Sequence, residues 1–84
     1  MFFAYVLKSL KNGKRYVGYT SKEPETRLME HNKGCNSWTK QNGPFELIYQ
    51  EAYLTKTEAI TREKFLKSGQ GRKWLDESLL FIPR

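Results

Sequence analysis

The dipeptide Asn12-Gly13 lies between two runs rich in β-branched and aromatic residues, Phe3-Ala4-Tyr5-Val6-Leu7-Lys8-Ser9 and Arg15-Tyr16-Val17-Gly18-Tyr19-Thr20. Asn-Gly in that setting is the strongest short signal for a β-hairpin. If Asn12 and Gly13 fill a two-residue turn, Tyr5 faces Thr20, Leu7 faces Gly18 and Ser9 faces Tyr16. Tyr5, Tyr16 and Gly18 then share one face of the hairpin, because side chains alternate along a strand. Gly18 between the tyrosines leaves backbone open where any other residue would place a side chain. Two phenols beside such a gap could floor a site. The plainer alternative is that tyrosine is a good strand residue and the glycine marks a bulge.

A chain of 84 residues supports one domain, 1–84, with a single modest core. Fifteen Lys and Arg against nine Asp and Glu give a net charge of +6 and a pI near 9.6, which favours a polyanionic partner, nucleic acid first. One cysteine, Cys35, forms no internal disulfide and cannot build a structural zinc site, so a reducing cytoplasmic setting is expected. No apolar run reaches the ~20 residues a membrane span requires, and Met1-Phe2-Phe3 does not read as a signal peptide.

After the hairpin, Ser21-Lys22-Glu23-Pro24 supplies a capping serine, an early acid and an N-terminal proline, predicting a helix from about Glu23 to His31. Arg27 and His31, four apart, project from one side of it. Such a pair is either a solvated polar face or two members of a site. Gly34 to Pro44 reads as a polar loop with room for one helical turn, anchored by Trp38. Trp38 beside Lys40 could stack on a base or sugar, although a lone tryptophan in a polar loop more often pins that loop to the body.

Phe45 to Tyr53 predicts a third strand with Phe45, Leu47, Tyr49 and Tyr53 at alternate positions. Thr55-Lys56-Thr57-Glu58 matches a capping box opening a helix through about Lys67, which Gly69-Gln70-Gly71 should stop. With Ala59 at zero on a helical wheel, Ile60 falls at about 100°, Leu66 at about −20° and Glu63 at about 40°. Glu63 thus sits inside the apolar stripe. An inward carboxylate needs a cation, either an ion-pair partner such as Arg27 or a metal. Arg72 to Leu80 reads as a short closing helix packing through Trp74, Leu75 and Leu79. No glycine fits a phosphate-binding loop or a dinucleotide fingerprint.

Two phenols, a guanidinium beside an imidazole, one inward carboxylate and a basic surface are the parts phosphodiester hydrolysis needs. The reaction requires a base for water, positive charge at the phosphate and a hard cation, and Mg²⁺ can be held by one or two protein carboxylates. The chain resembles the GIY-YIG nuclease family, and within it the short stand-alone bacterial members. Phe3-Ala4-Tyr5 stands where the first signature triplet belongs and Tyr16-Val17-Gly18 where the second does. Arg27 and His31 match the R-x-x-x-H pattern of the family's first helix, Ser37-Trp38-Thr39-Lys40 resembles a loop of the short members, and Glu58 to Lys64 resembles the metal-glutamate helix.

The resemblance implies a small α+β domain, a three-stranded antiparallel β-sheet flanked by helices, and Mg²⁺- or Mn²⁺-dependent cleavage of DNA. Carried over by position, Tyr5 or Tyr16 is the base, Arg27 neutralises the scissile phosphate, His31 assists proton transfer, Glu63 holds the cation and Gly18 keeps backbone close to the site. Trp38 and Lys40 are candidate nucleic-acid contacts. Only the tyrosine of the first triplet is kept, and Tyr19 stands where excision-repair relatives have lysine, which makes His31 the expected proton acceptor. With no room for an appended DNA-binding domain, cleavage should be weakly sequence-specific, structure-selective or guided by a protein partner. A basic binding module without catalysis is the competing expectation. All five side chains are expected to converge on the phenol-bearing side of the sheet.

Overall fold

A computed structural model describes residues 1–34 and 36–79. Cys35 and Leu80 lie outside the described residues, and with them the expectations placed on those two positions. The element order is β1 (Phe2–Ser9), β2 (Arg15–Thr20), α1 (Pro24–Asn32), α2 (Ser37–Asn42), β3 (Phe45–Tyr53), α3 (Lys56–Lys67) and α4 (Gly69–Leu79). The three strands form one antiparallel sheet in the order β2-β1-β3, so the first strand is central and β2 is a free edge.

The hairpin forms, with a register two residues away from the expected one. Tyr5 pairs with Gly18 and Leu7 with Tyr16, because the connection is longer than the Asn-Gly pair alone. The Ser9 N–H donates to the Lys14 carbonyl at 2.8 Å and the Gly13 N–H to the Ser9 carbonyl at 2.9 Å, closing a loop of Leu10 to Gly13. Gly13 takes φ +76°, the left-handed region open to glycine. The Ser9 hydroxyl accepts from the Lys11 and Asn12 N–H groups, and the Asn12 side-chain oxygen accepts from the Lys14 N–H. A shift of two preserves side-chain parity, so Tyr5, Tyr16 and Gly18 remain on one face.

Two apolar clusters lie on opposite faces of the sheet. Ala4 and Val6 pack with Leu66 of α3 and Leu75 of α4, joined by Val17, Ile48, Tyr49, Tyr53, Phe65, Trp74 and Leu79. Tyr5, Leu7 and Phe45 pack on the other side with Tyr16, Leu28 of α1, Trp38 of α2 and Leu47. The third strand contributes to both because its register slips between Val6 and Leu7 of its partner: Tyr49 faces Val6, but Leu47 faces Leu7. That bulge at Ile48 sends Phe45 and Leu47 to one face and Tyr49 and Tyr53 to the other, where strict alternation had put all four together.

The first helix starts at Pro24 with Glu23 as N-cap and no side-chain cap, so Ser21 does not cap it. The segment read as a loop contains α2, whose N-cap Asn36 accepts from the Thr39 N–H at 2.9 Å while the Asn36 N–H donates to the Thr39 hydroxyl at 3.2 Å. Thr55 caps α3 by accepting from the Glu58 N–H, as expected. The Gly69-Gln70-Gly71 stretch opens α4 instead of acting as a stop, α3 having ended at Lys67 with Ser68 as its C-cap. A Cβ on Gly71 would lie 1.8 Å from the Phe65 carbonyl oxygen, so only glycine lets the two helices meet this closely.

Candidate active site

Tyr5 is held by the central strand, 1% exposed, and its hydroxyl is 2.9 Å from His31 Nε2 on α1. Its ring lies over Gly18: a Cβ there would be 2.6 Å from the Tyr5 hydroxyl oxygen and 2.8 Å from Cζ. The glycine is therefore a steric requirement of the tyrosine.

One turn before His31, Arg27 Nη2 stands 3.4 Å from the same Nε2. A guanidinium can only donate, so Nε2 is the acceptor, the ring proton sits on Nδ1 and the Tyr5 O–H donates to His31. His31 is fully buried; burial first, and the Arg27 charge second, hold its pKa below the ordinary value. A neutral imidazole with its lone pair toward a phenol is poised to take a proton. Burial pulls the Arg27 guanidinium down, and hydrogen bonds to Glu30 and Tyr5 carry it above its usual value.

Glu30 joins this group although its sequence position alone drew no attention to it. Its carboxylate bridges Arg27 at 2.6 Å and Lys22 at 2.7 Å, and Lys22 first, then Arg27, hold its pKa below the usual carboxylate range. The signal was present, since a carboxylate three residues after Arg27 shares its helix face.

Tyr16 stands on the same face in the edge strand, its ring 4.6 Å from the His31 ring and 6.4 Å from Tyr5. Trp38 lies between Tyr16, at 5.5 Å, and Phe45, at 5.6 Å, and so pins α2 to the sheet. Asn32 fastens α1 to the third strand by accepting from the Phe45 N–H at 2.7 Å. Lys40 is exposed on α2 and takes no part in these ring contacts.

Glu63 departs from the expected one-sided convergence. It belongs to α3, which packs on the Ala4 and Val6 face, and its carboxylate meets Lys67 at 3.7 Å. Arg27 is paired with Glu30, so the buried Arg27–Glu63 bridge weighed from the sequence does not form. Glu63 is nevertheless half-buried, its side chain 15% exposed, as its place in the apolar stripe required. Around the edge of β2 the two layers come together, Tyr16 and Trp38 from one face and Leu66 and Lys67 from the other lining one cavity. Among the described residues no group of three or more His, Cys, Asp and Glu side chains gathers. A single carboxylate of this kind fits a hydrated Mg²⁺ or Mn²⁺, which keeps most of its waters, and not a closed cage.

A second polar cluster is not apparent from the sequence. Glu51 accepts from Tyr49, from Tyr53 at 2.6 Å and from Arg62 at 2.8 and 3.2 Å, while Arg62 stacks over Phe65 and Trp74. It ties the third strand to both C-terminal helices.

The model of the GIY-YIG catalytic domain matches residues 1–74. The chain belongs to the GIY-YIG family. A UPF0213 protein of Staphylococcus epidermidis is 42% identical over 67 residues, covering 79% of each chain. One from Staphylococcus saprophyticus is 39% identical over 74 residues, 87% of this chain and 88% of that one. The solution NMR structure of the UPF0213 protein BH0048 from Bacillus halodurans superposes with a TM-score of 0.55 at 30% identity, covering 93% of this chain and 85% of that one. The expected α+β fold and the short stand-alone bacterial GIY-YIG type are thus both shown, and the domain is of a nuclease family. No helix among the described residues is long and apolar enough to cross a membrane.

Proposed function

We propose that this GIY-YIG protein is a divalent-metal-dependent DNA endonuclease that hydrolyses phosphodiester bonds, weakly sequence-specific or structure-selective, in DNA repair or processing. The observation that carries this reading is the junction at His31 Nε2, where a phenol and a guanidinium converge on one neutral imidazole nitrogen. Tyr16, at the cavity, is the phenol able to meet a water molecule, whereas Tyr5 is buried and positions the imidazole. His31 Nε2 is the proposed proton acceptor, taking the Tyr5 proton from the hydroxyl that donates to it while Tyr5 is reprotonated from the Tyr16 side. Arg27, tethered by Glu30, stabilises charge developing on the phosphate oxygens. Glu63 would hold Mg²⁺ or Mn²⁺, which when bound supplies Lewis-acid polarisation of the phosphate and a more acidic water. Gly18, expected to keep backbone open at the site, is buried under the Tyr5 ring and serves to seat that ring, and Trp38 with Lys40 are proposed DNA contacts. A protein partner could add specificity.

The test is incubation of the purified protein with branched, nicked and single-stranded DNA in Mg²⁺, Mn²⁺ or EDTA. Cleavage that needs metal and disappears in Glu63→Ala and Arg27→Ala is the expected result; absence of cleavage, or cleavage indifferent to both substitutions, refutes it. The second reading, a non-catalytic nucleic-acid-binding module, draws on the Glu63–Lys67 pair, which gives the carboxylate a protein cation. That reading expects salt-sensitive binding with no turnover.

A further inference from the structure

The free edge of β2 is bordered by cavities at both ends. Near its start about 720 Å³ opens among Lys14, Arg15, Tyr16, Trp38, Lys67 and Arg72. At its far end about 440 Å³ lies among Tyr19, Thr20, Lys22, Arg27 and Lys56. Tyr16 lines the first, Arg27 lines the second, and Gly18 sits in the strand between them.

The charge along this edge is one-sided. The first cavity carries Lys14, Arg15, Lys67 and Arg72 against Asp76, and the second carries Lys22, Arg27 and Lys56 with no acid among its lining residues. Arg15 is paired with Asp76 at 2.7 Å, Lys67 with Glu63, and Lys22 and Arg27 with Glu30. Lys14, Lys56 and Arg72 enter no ion pair among the described residues. Three cations are thus left for an external anion, two at one end and one at the other. A strand the length of β2 runs roughly 20 Å, so the edge spans a few nucleotides of an extended single strand, the scale on which single-strand-binding grooves work.

We propose that the edge of β2 is a track for one nucleic-acid strand. The strand lies over Lys14 and Arg72 with a base or sugar against Trp38, crosses Tyr16, and leaves past Lys56. This deepens the nuclease reading by stating how its substrate lies, yet it concerns binding and stands or falls without catalysis.

The experiment is fluorescence anisotropy of a labelled oligonucleotide in EDTA over a salt series. The variant Lys14→Ala/Lys56→Ala/Arg72→Ala is compared with wild type and with Lys33→Ala/Lys73→Ala, whose cations line neither cavity. For a single strand the triple variant should flatten the log K against log salt slope by about 2, at ~0.7 for each phosphate no longer neutralised. The control pair should leave it nearly unchanged. In a Trp74→Phe background Trp38 becomes the sole tryptophan, and oligonucleotide binding should alter its emission. An unchanged slope in the triple variant, an equal loss in the control pair, or silent Trp38 emission at saturation each overturns the track. A blunt duplex bound as tightly as the single strand overturns the one-strand seat, and a flap bound through its free arm supports it. Cleavage without dependence on these cations would refute the track and keep the nuclease reading; the reverse result would do the opposite. Circular dichroism of each variant secures the fold, and the three single variants, each expected to lower the slope by about 0.7, replace any combination that fails to fold.

Discussion

The Tyr5 ring lies across Gly18, its hydroxyl oxygen 2.6 Å from where a β-carbon on residue 18 would stand. The same hydroxyl donates to His31, so one backbone position controls the geometry of the candidate proton relay. Gly18→Ala should force the ring aside at a cost of about 1–3 kcal/mol, as for other overpacked sites. It should also break the bond to His31. Combined with Tyr5→Phe, which removes the closest atom, the loss should be less than additive. Thermal unfolding of the four members of the cycle measures the coupling, and strict additivity would refute the contact.

His31 carries a sign that can be checked. Its folded pKa lies below the ordinary value of about 6.5 because of burial and the Arg27 charge, partly offset by Glu30. The unfolded chain therefore binds more protons in the window between the two values, and stability rises with pH across it. The contribution is complete above about pH 6.5 and is lost as pH falls toward the folded value. Urea unfolding at pH 5, 6 and 7.5 should show that slope in wild type and a flatter one in His31→Gln.

Glu30 holds Arg27 without needing to touch DNA. Glu30→Gln should lower turnover with little change in KM, by at most on the order of 100-fold if the guanidinium drifts by an ångström. Arg27→Ala should cost roughly 100- to 1000-fold, the range seen when a donor to a developing oxyanion is removed. Steady-state kinetics on one DNA substrate separates the two, and an effect of Glu30→Gln confined to KM would remove it from the positioning of Arg27.

Burial first, and the hydrogen bonds to Glu51 second, push Tyr49 and Tyr53 up to about 12. An ultraviolet phenol titration should find Tyr49 and Tyr53 ionising late, and Glu51→Gln should bring both down. The substitution should also cost about 2–3 kcal/mol, short of the loss at a fully buried pair because both partners keep some exposure.

Gly71→Ala is expected to be severe, since its β-carbon would meet main chain at Phe65 and Leu66, which cannot rotate away. About 3 kcal/mol is the upper end of ordinary overpacking, and in a domain this small each kcal/mol lowers Tm by about 4–8 °C. Scanning calorimetry gives the answer directly.

The face shared by Tyr5, Tyr16 and Gly18 was legible in the sequence because parity survives any even shift of register, although the register itself depended on loop length, which Asn12-Gly13 alone misjudged. Arg27 and His31 were legible because helical spacing is local. The Glu51–Arg62 cluster was not: it depends on the bulge at Ile48, an irregularity that reverses which residues of the third strand look inward. The layer to which Glu63 belongs was hidden for a related reason. A helical wheel tells which way a residue faces within its own helix and nothing about which side of the sheet that helix will cover. The glycines at 69 and 71 read as a terminator because the use of Gly71 in helix contact depends on a neighbour 1.8 Å from an absent atom.

An outermost strand is also a hazard, because its unpaired amides and carbonyls invite a second molecule to dock alongside and continue the sheet. In β2 that row begins beside Lys14 and Arg15, and like charges on two approaching copies would repel. The residues that make this rim attractive to a polyanion therefore also discourage self-association, so neutralising them should cost the protein its solubility before it costs the protein its fold.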